Sequence, residues 1–186
     1  MIKVNEVQIL SLPVLPIRGI VVLPNNEMRI EVGRESSIKA VIDSERFDGH
    51  IVLVNQQDPL IDNPKPDDLL KFGVVCKLLM KIKQPNGNYK VKVKGLIRAQ
   101  IEEYFQEDPF LFAQVKTLVS VSNDPEKEIA LIRLFINTVV ENADLLFSIP
   151  KEVIASIQGN TTADKVSDIV AFHLRTSENE KLKYIS

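Results

Sequence analysis

The sequence predicts an α+β fold: a small barrel-like β-sheet domain over residues 1–119, then an α-helical bundle over residues 120–186. Three observations predict it. Short apolar or alternating runs such as Ile51-Val-Leu-Val54 and Met28-Arg-Ile-Glu-Val32 recur between proline and glycine breaks, the pattern of many short strands in a compact sheet. Asn86-Gly87 joins two lysine-rich alternating runs, a strong local signal for a hairpin. At Ser120 the apolar period changes from 2 to 3.6.

The stretch from Leu12 to Val41 sets the first elements. Ile20 to Leu23 is a continuous apolar run between Gly19 and Pro24, which predicts a strand buried on both faces. Pro13 and Pro16 lack a ladder donor, so the chain just before that run is expected at a sheet edge or a corner. Met28 to Val32 alternates apolar and charged residues, as a strand with one wet face does, and Gly33 ends it. Ile38, Val41 and Ile42 recur at helical spacing behind Ser36 and Ser37, predicting a short amphipathic helix that lies back on the strands.

Phe47-Asp-Gly-His50 predicts a turn and Ile51 to Val54 a central strand. His50 invites a metal-ligand or general-base reading, but the other histidine, His173, lies far off in a helical segment, so His50 reads as an ordinary turn residue. Residues 55–68 are polar and broken by Pro59, Pro64 and Pro66, which predicts a long surface loop. Its Asp58, Asp62, Asp67 and Asp68 lack the alternating spacing and central glycine of a calcium loop.

In the hairpin, Asn86 and Gly87 are both expected at positive φ, setting a register in which Ile82 faces Val91 and Met80 faces Val93. Lys83 then meets Lys90, and Lys81 meets Lys92, on the other side. Like charges directly opposite are unfavourable, so that side must be wet or carry acidic neighbours. It fits a solvated face that discourages edge-to-edge aggregation better than it fits a docking strip for acidic partners. Gly95 to Tyr104 continues as a strand, Pro109 interrupts, and Phe110 to Val119 reads as the last strand.

Beyond Ser120, Asn123 or Asp124 can cap a helix with Pro125 at its first position, and Ile129, Ile132, Ile136, Val139, Ala143 and Leu146 form its stripe. Ser148-Ile-Pro150 starts a second short helix closed by Gly159, and Thr161 or Thr162 caps a third with Val166, Ile169, Val170 and His173 on its buried side. Ser177-x-x-Glu180 is a capping-box pattern ahead of Leu182 and Ile185. Helices shorter than about 12 to 15 residues are marginal alone. The last residues therefore read as the frayed root of a longer helix, and the chain as part of a larger protein.

Composition narrows the function. The chain has 186 residues, 45% hydrophobic and 26% charged, with a net charge of -2, so it is globular and has no overall electrostatic footprint for nucleic acid. The single Cys76, in the apolar run from Val74 to Met80, cannot form an internal disulfide and reads as a small buried hydrophobe, which fits a reducing cytoplasm. The first residues, Met1-Ile-Lys-Val-Asn-Glu-Val-Gln, lack the apolar core of a signal peptide, and no run approaches the ~20 apolar residues of a membrane span, so no membrane partner is expected. Phosphate-binding Gly-x-x-x-x-Gly-Lys and Gly-x-Gly-x-x-Gly loops, a serine nucleophile elbow, a cysteine–histidine pair and metal-ligand spacing are all missing from the sequence. No catalytic residue, metal or cofactor is therefore assigned to it. If a partner is bound, the favoured groups are Leu23, Pro24, Met28 and Ile30 near the opening turn, flanked by Arg29 and Arg34; the competing reading of the same apolar residues is core packing.

Leu12-Pro-x-Leu15-Pro16-Ile-Arg18, Pro24 and Val32-Gly33-Arg34-x-x-Ser37 resemble the opening of the Lon protease amino-terminal domain. Gln57-Asp58-Pro59-x-Ile-Asp62-x-Pro64, Asp68-Leu69-x-x-Phe-Gly73-Val74-Val-x-Lys77 and Val91-x-Val93-x-Gly95-Leu96-x-Arg98-Ala99 are similar to its later blocks, in the same order, so the resemblance covers nearly the whole chain. Two departures stand out: Asn25 follows Pro24 where the family usually has glycine, and Arg29 stands where it often has a second proline. The resemblance implies a PUA-like sheet domain that helps select unfolded or tagged proteins. It further implies a cytoplasmic homohexamer engaged in protein quality control and the stress response, with an ATPase module using ATP and Mg and a Ser-Lys peptidase module elsewhere in the full-length protein. Two other readings remain. One is a stand-alone Lon-type protein interaction module, which the absence of a downstream phosphate-binding loop would favour. The other is an RNA-binding barrel, since the sheet domain resembles accessory folds of RNA-modifying enzymes; Lys81, Lys83, Lys90, Lys92 and Lys94 are its support.

Overall fold

Strands β1 (Ile9–Ile17), β2 (Glu27–Val32), β3 (His50–Gln56), β4 (Leu69–Lys83), β5 (Tyr89–Gln106) and β6 (Phe112–Thr117) form one sheet, and helix α1 (Glu35–Asp43) lies between β2 and β3. Helices α2 (Pro125–Glu141), α3 (Lys151–Ile157), α4 (Ala163–His173) and α5 (Glu178–Leu182) complete the chain. This is a computed structural model describing residues 2, 5–121, 124–141, 150–157, 162–173 and 176–185. Asn123, Ala143, Leu146, Ser148, Gly159 and Thr161, expected as caps, stripe and helix ends, lie outside the described residues, as does the side chain of Val139.

The strand order is β2-β5-β4-β3-β1-β6, and β5 also pairs with β6. Five strands thus close into a ring, leaving β2 attached to β5 alone. β5 can serve three neighbours because it is 18 residues long: Tyr89 to Lys94 meet β2, and Ala99 to Gln106 meet β6. β3 shows how the ring packs. Every residue from His50 to Gln56 is buried, with Val52 and Val54 in a core drawn from all five ring strands and Ile51 and Leu53 in a second core on the opposite face. That second core lies under β2 and α1, and it also takes in Ala171 and Ile185 from the helical segment.

The first strand is not where the apolar run points. Val21 to Leu23 are buried and Ile20 half-buried, but the run is irregular, and the strand is the proline-containing Ile9–Ile17. β1 tolerates its prolines because each half has a single neighbour. Ile9 to Pro13 pair with β6, and Val14 to Ile17 run parallel to β3, so the chain changes partner at a corner. The apolar run stays out of the ladder because its polar groups are met otherwise. Asn55 Nδ2 donates to the Ile20 carbonyl at 2.7 Å, and the turn after Leu23 is clamped on Gly95 by bonds of 3.0 and 2.9 Å with Asn25 and Asn26. A Cβ at Gly95 would collide with the Leu23 carbonyl, so this close approach requires glycine. Asn25 has φ 61°, a conformation glycine adopts freely and asparagine tolerates better than most, so its departure from the family pattern keeps the turn.

The hairpin register is shifted by one residue from the expectation. Gly87 alone takes positive φ; its N–H donates to Gln84 O at 3.0 Å, and Gln84 N–H to Asn88 O at 2.7 Å. Pro85 favours an ordinary turn at Gln84–Gly87, and the left-handed Gly87 then adds a bulge, giving a three-residue loop instead of two. Lys83 consequently faces Tyr89, Ile82 faces Lys90, Lys81 faces Val91 and Met80 faces Lys92. The lysines are no longer opposed to one another there. Lys90 and Lys94 instead meet Glu31 and Glu27 across β2, supplying the acidic neighbours that the face requires.

At the helical end, Asp124 caps α2 through its carboxylate, which accepts from Lys127 N–H at 3.0 Å. The capping box of α5 forms, with Glu180 N–H donating to Ser177 Oγ at 3.3 Å and Ser177 N–H to Glu180 Oε2 at 3.0 Å. The residues after α5 are not the frayed root that the sequence leads one to expect. Beyond Leu182 the chain tightens into bonds that reach back three residues, Ile185 is 3% exposed in the core, and Arg98 Nε donates to the Tyr184 carbonyl at 2.6 Å.

Candidate functional site

Three separated stretches of sequence meet at one cleft. The end of β1 supplies Leu15, Pro16, Ile17 and Arg18, and the end of β2 with the start of α1 supplies Ile30 to Arg34 and Ser37. The loop after β3 closes on the two arginines. The cleft has a volume of about 330 Å³. Because β1 and β3 run parallel, with Ile17 beside Asn55, their ends emerge at the same edge of the ring, and the 57–65 loop begins where Arg18 leaves β1.

Polar contacts hold that loop. Arg18 Nη1 donates to Pro59 O at 2.8 Å and faces Asp62 Oδ1 at 3.4 Å. Arg34 Nη2 donates to Gln56 Oε1 at 2.6 Å, while Gln56 Nε2 donates to the carbonyls of Asp58 and Ile61 at 3.1 and 2.8 Å. Gln56 is buried, so each of these bonds replaces one to water; bonds to a charged group contribute about 1.5 to 3 kcal/mol. Burial lowers the proton affinity of Arg34, the nearby Arg18 charge lowers it further, and Asp62 opposes both. Two like charges therefore share the mouth of a cleft of mixed apolar and polar lining. Leu60, 84% exposed, sits at the loop tip, with its N–H bound to Asp58 Oδ1 at 2.8 Å.

The sequence-predicted partner residues divide. Leu23, fully buried, and Pro24, also buried, pack inward. Met28 and Ile30 are half-buried against the same core, Ile30 lining the cleft; Arg34 lines it too, and Arg29 is exposed on the opposite side of β2. Sequence reasoning missed Arg18 as a cleft residue, although it ends the Leu12–Arg18 motif, and Gln56, which closes a wholly buried strand.

The remaining reactive side chains are structural. Cys76 is buried, and burial pushes its thiol well above the usual range. His50 begins β3 instead of belonging to the turn, its Nδ1 2.8 Å from Phe47 O, and burial lowers its proton affinity. Among the described residues no group of three His, Cys, Asp or Glu side chains is placed to hold a metal. No described helix is long and apolar enough to cross a membrane.

The profile of the ATP-dependent protease La (LON) substrate-binding domain matches residues 11–184. The Lon protease of Syntrophomonas wolfei is 31% identical over 176 residues, covering 94% of this chain and 22% of that protein. That of Desulforamulus reducens is 32% identical over 174 residues, again covering 94% and 22%. The chain thus spans about a fifth of the length of the curated relatives it matches. Among solved structures, the N terminal domain of Mycobacterium avium complex Lon protease superposes with a TM-score of 0.62 at 17% identity, covering 94% of this chain and 95% of that one. The Lon N-terminal domain protein from Xanthomonas campestris gives 0.61 at 18%, covering 94% and 88%.

Proposed function

Because this chain belongs to the LON substrate-binding domain family, we propose that it captures unfolded or tagged polypeptide for an ATP-dependent serine protease, and that the cleft between β1 and β2 is where it does so. The observation that supports this is convergence. Arg18 from one block and Gly33, Arg34 and Ser37 from the next line one concave surface, and Gln56 and Pro59, from later in the chain, bind its arginines. Ile30 and Arg34 line the cleft and remain contact residues of this reading; Met28 and Arg29 lie on the same strand as Ile30 but outside the lining, and Leu23 and Pro24 are buried behind it.

The full-length protein is read as a cytoplasmic homohexamer that uses ATP and Mg and acts in quality control and the stress response. Single-site binding is expected to be weak, because an unfolded chain loses conformational entropy on ordering. A dissociation constant of roughly 10 μM to 1 mM is expected. Several such domains in a ring raise apparent affinity by ~10² to 10⁴ where geometry allows. Fluorescence anisotropy with labelled, reduced and carboxymethylated α-lactalbumin tests the reading. Saturable binding that largely survives moderate salt supports an apolar cleft. Sharp loss with salt moves the site to the hairpin lysines, and no binding up to millimolar protein removes the polypeptide-binding role.

A further inference from the structure

The cleft is walled by two strand edges that do not pair with each other. β2 bonds to β5 on one side, and among the described residues nothing pairs with its other side. Leu15 to Ile17 of β1 likewise pair with β3 alone. Both edges line the cleft. An unpaired strand edge presents a row of backbone donors and acceptors that any extended chain can match, whatever its side chains. The alternation of β2 defines what such a chain would carry. Met28, Ile30 and Val32 point toward the core side, and Glu27, Arg29 and Glu31 to the other. On that outer row Glu27 is held by Lys92 at 2.6 Å and Glu31 accepts from Asn88 Nδ2 at 2.9 Å. Arg29 has no ion-pair partner among the described residues, and Lys90, Lys92 and Lys94 stand in the next row, so the local charge there is positive.

Resting on the reading of this cleft as the polypeptide site, we propose that the free edge of β2 takes up an extended segment as an added strand, its apolar side chains entering the cleft and a carboxylate side chain lying beside Arg29. Recognition of this kind is largely indifferent to sequence, since backbone bonds supply much of the affinity and the alternation of apolar and acidic residues sets the register. A further free edge, Leu79 to Lys83 of β4, is less suited. Its ladder is interrupted between Leu78 and Met80, and Lys81 is tied to Glu45 at 2.5 Å.

The test uses the whole chain and a blocked octapeptide alternating isoleucine and glutamate, in three forms: unmodified, N-methylated at the isoleucines, and N-methylated at the glutamates. N–H groups of an extended strand alternate between its two edges, so one methylated form is expected to bind about tenfold or more weakly and the other unchanged. Equal binding of all three forms overturns strand addition. Amide exchange is expected to slow across β2 on binding; slowing confined to Leu79–Lys83 overturns the placement. Arg29→Glu is expected to weaken the glutamate peptide several-fold and strengthen a lysine counterpart, and no change in either removes Arg29 from the site. Labelled unfolded α-lactalbumin runs alongside. Its binding together with indifference to methylation defeats strand addition while sparing the cleft, whereas its failure to bind defeats both.

Discussion

β3 buries every residue from His50 to Gln56, whereas α2 turns Ile129, Leu131 and Leu134 outward and, among the described residues, shares Ile132 and Ile136 with a small core around Val166 and Ile169. The ring is held by apolar area spread over many strands. The helical segment is fastened to it by a short apolar contact, Ala171, Phe172, Leu182 and Ile185 against the second core, and by a few polar points. Arg98 on β5 clasps Asp168 of α4 with both guanidinium arms, one at 3.1 Å, and Asn26 Nδ2 donates to the Asp168 carbonyl at 3.0 Å. Glu178 Oε1 accepts from Gly19 N–H at 3.1 Å and from Asn55 Nδ2 at 3.3 Å. Distributed apolar burial degrades gradually, while a concentrated polar attachment fails when one member is removed. The first region should therefore yield only to a change that shifts backbone, and the second to a single side chain.

The largest expected effect is Gly95→Val. Its side chain has no room against the Leu23 carbonyl, so the loss should be about 3 to 4 kcal/mol, read by urea denaturation, and should take ring and helices together. Unfolding of the helices alone would break the contrast. Arg98→Ala should cost about 2 to 3 kcal/mol, felt as faster amide exchange in α4 and at Tyr184 and Ile185 while β3 stays protected. Burial already pushes the Asp168 carboxyl above its usual range despite Arg98, and removing the arginine leaves that push opposed only by the Asn25 hydrogen bond. A carboxyl raised in the folded state favours folding below its ordinary range and loses that contribution as pH rises through the raised value. The variant should thus recover part of its attachment on acidification toward pH 4 and be weakest at neutral pH. Ser177→Ala should cost about 1 kcal/mol and stay local, loosening α5 without altering α4, which a comparison of exchange rates in the two helices would show.

How much of the molecule was legible in the sequence depends on the same divide. Period and apolar runs located β2, β3, the β4–β5 hairpin and α1, because those segments bury side chains in the pattern their own backbone dictates. The prolines of β1 pointed to a corner, which the change of partner there forms, whereas the apolar run Ile20 to Leu23 misled, because it stays outside the ladder. The hairpin was visible in Asn86-Gly87, yet its register turned on Pro85, which makes the loop one residue longer. For the cleft, Ile30 and Arg34 could be placed on the right element, but Leu23 shares their apolar signal and is core. Distinguishing them requires Gly95 to be known as Leu23's neighbour, a contact between residues far apart in the chain. Gln56 and Arg34 likewise meet only through the fold.

The change of partner along β1 has a consequence for the order of events during synthesis. Its first half lies opposite β6, with Ile9 beside Lys116, whereas β4 and β5 are joined by a tight turn. A chain leaving the ribosome can zip the hairpin as soon as residue 106 is free, but the strand translated early must wait for the strand translated last in the ring. Loop closure over that span is slow compared with hairpin pairing. Until β6 arrives, Leu12 and Val14 have no Ala113 or Val115 to pack against, and the seam of the ring stands open. A nascent chain stalled before Phe112 is therefore the form most exposed to aggregation and most in need of a chaperone.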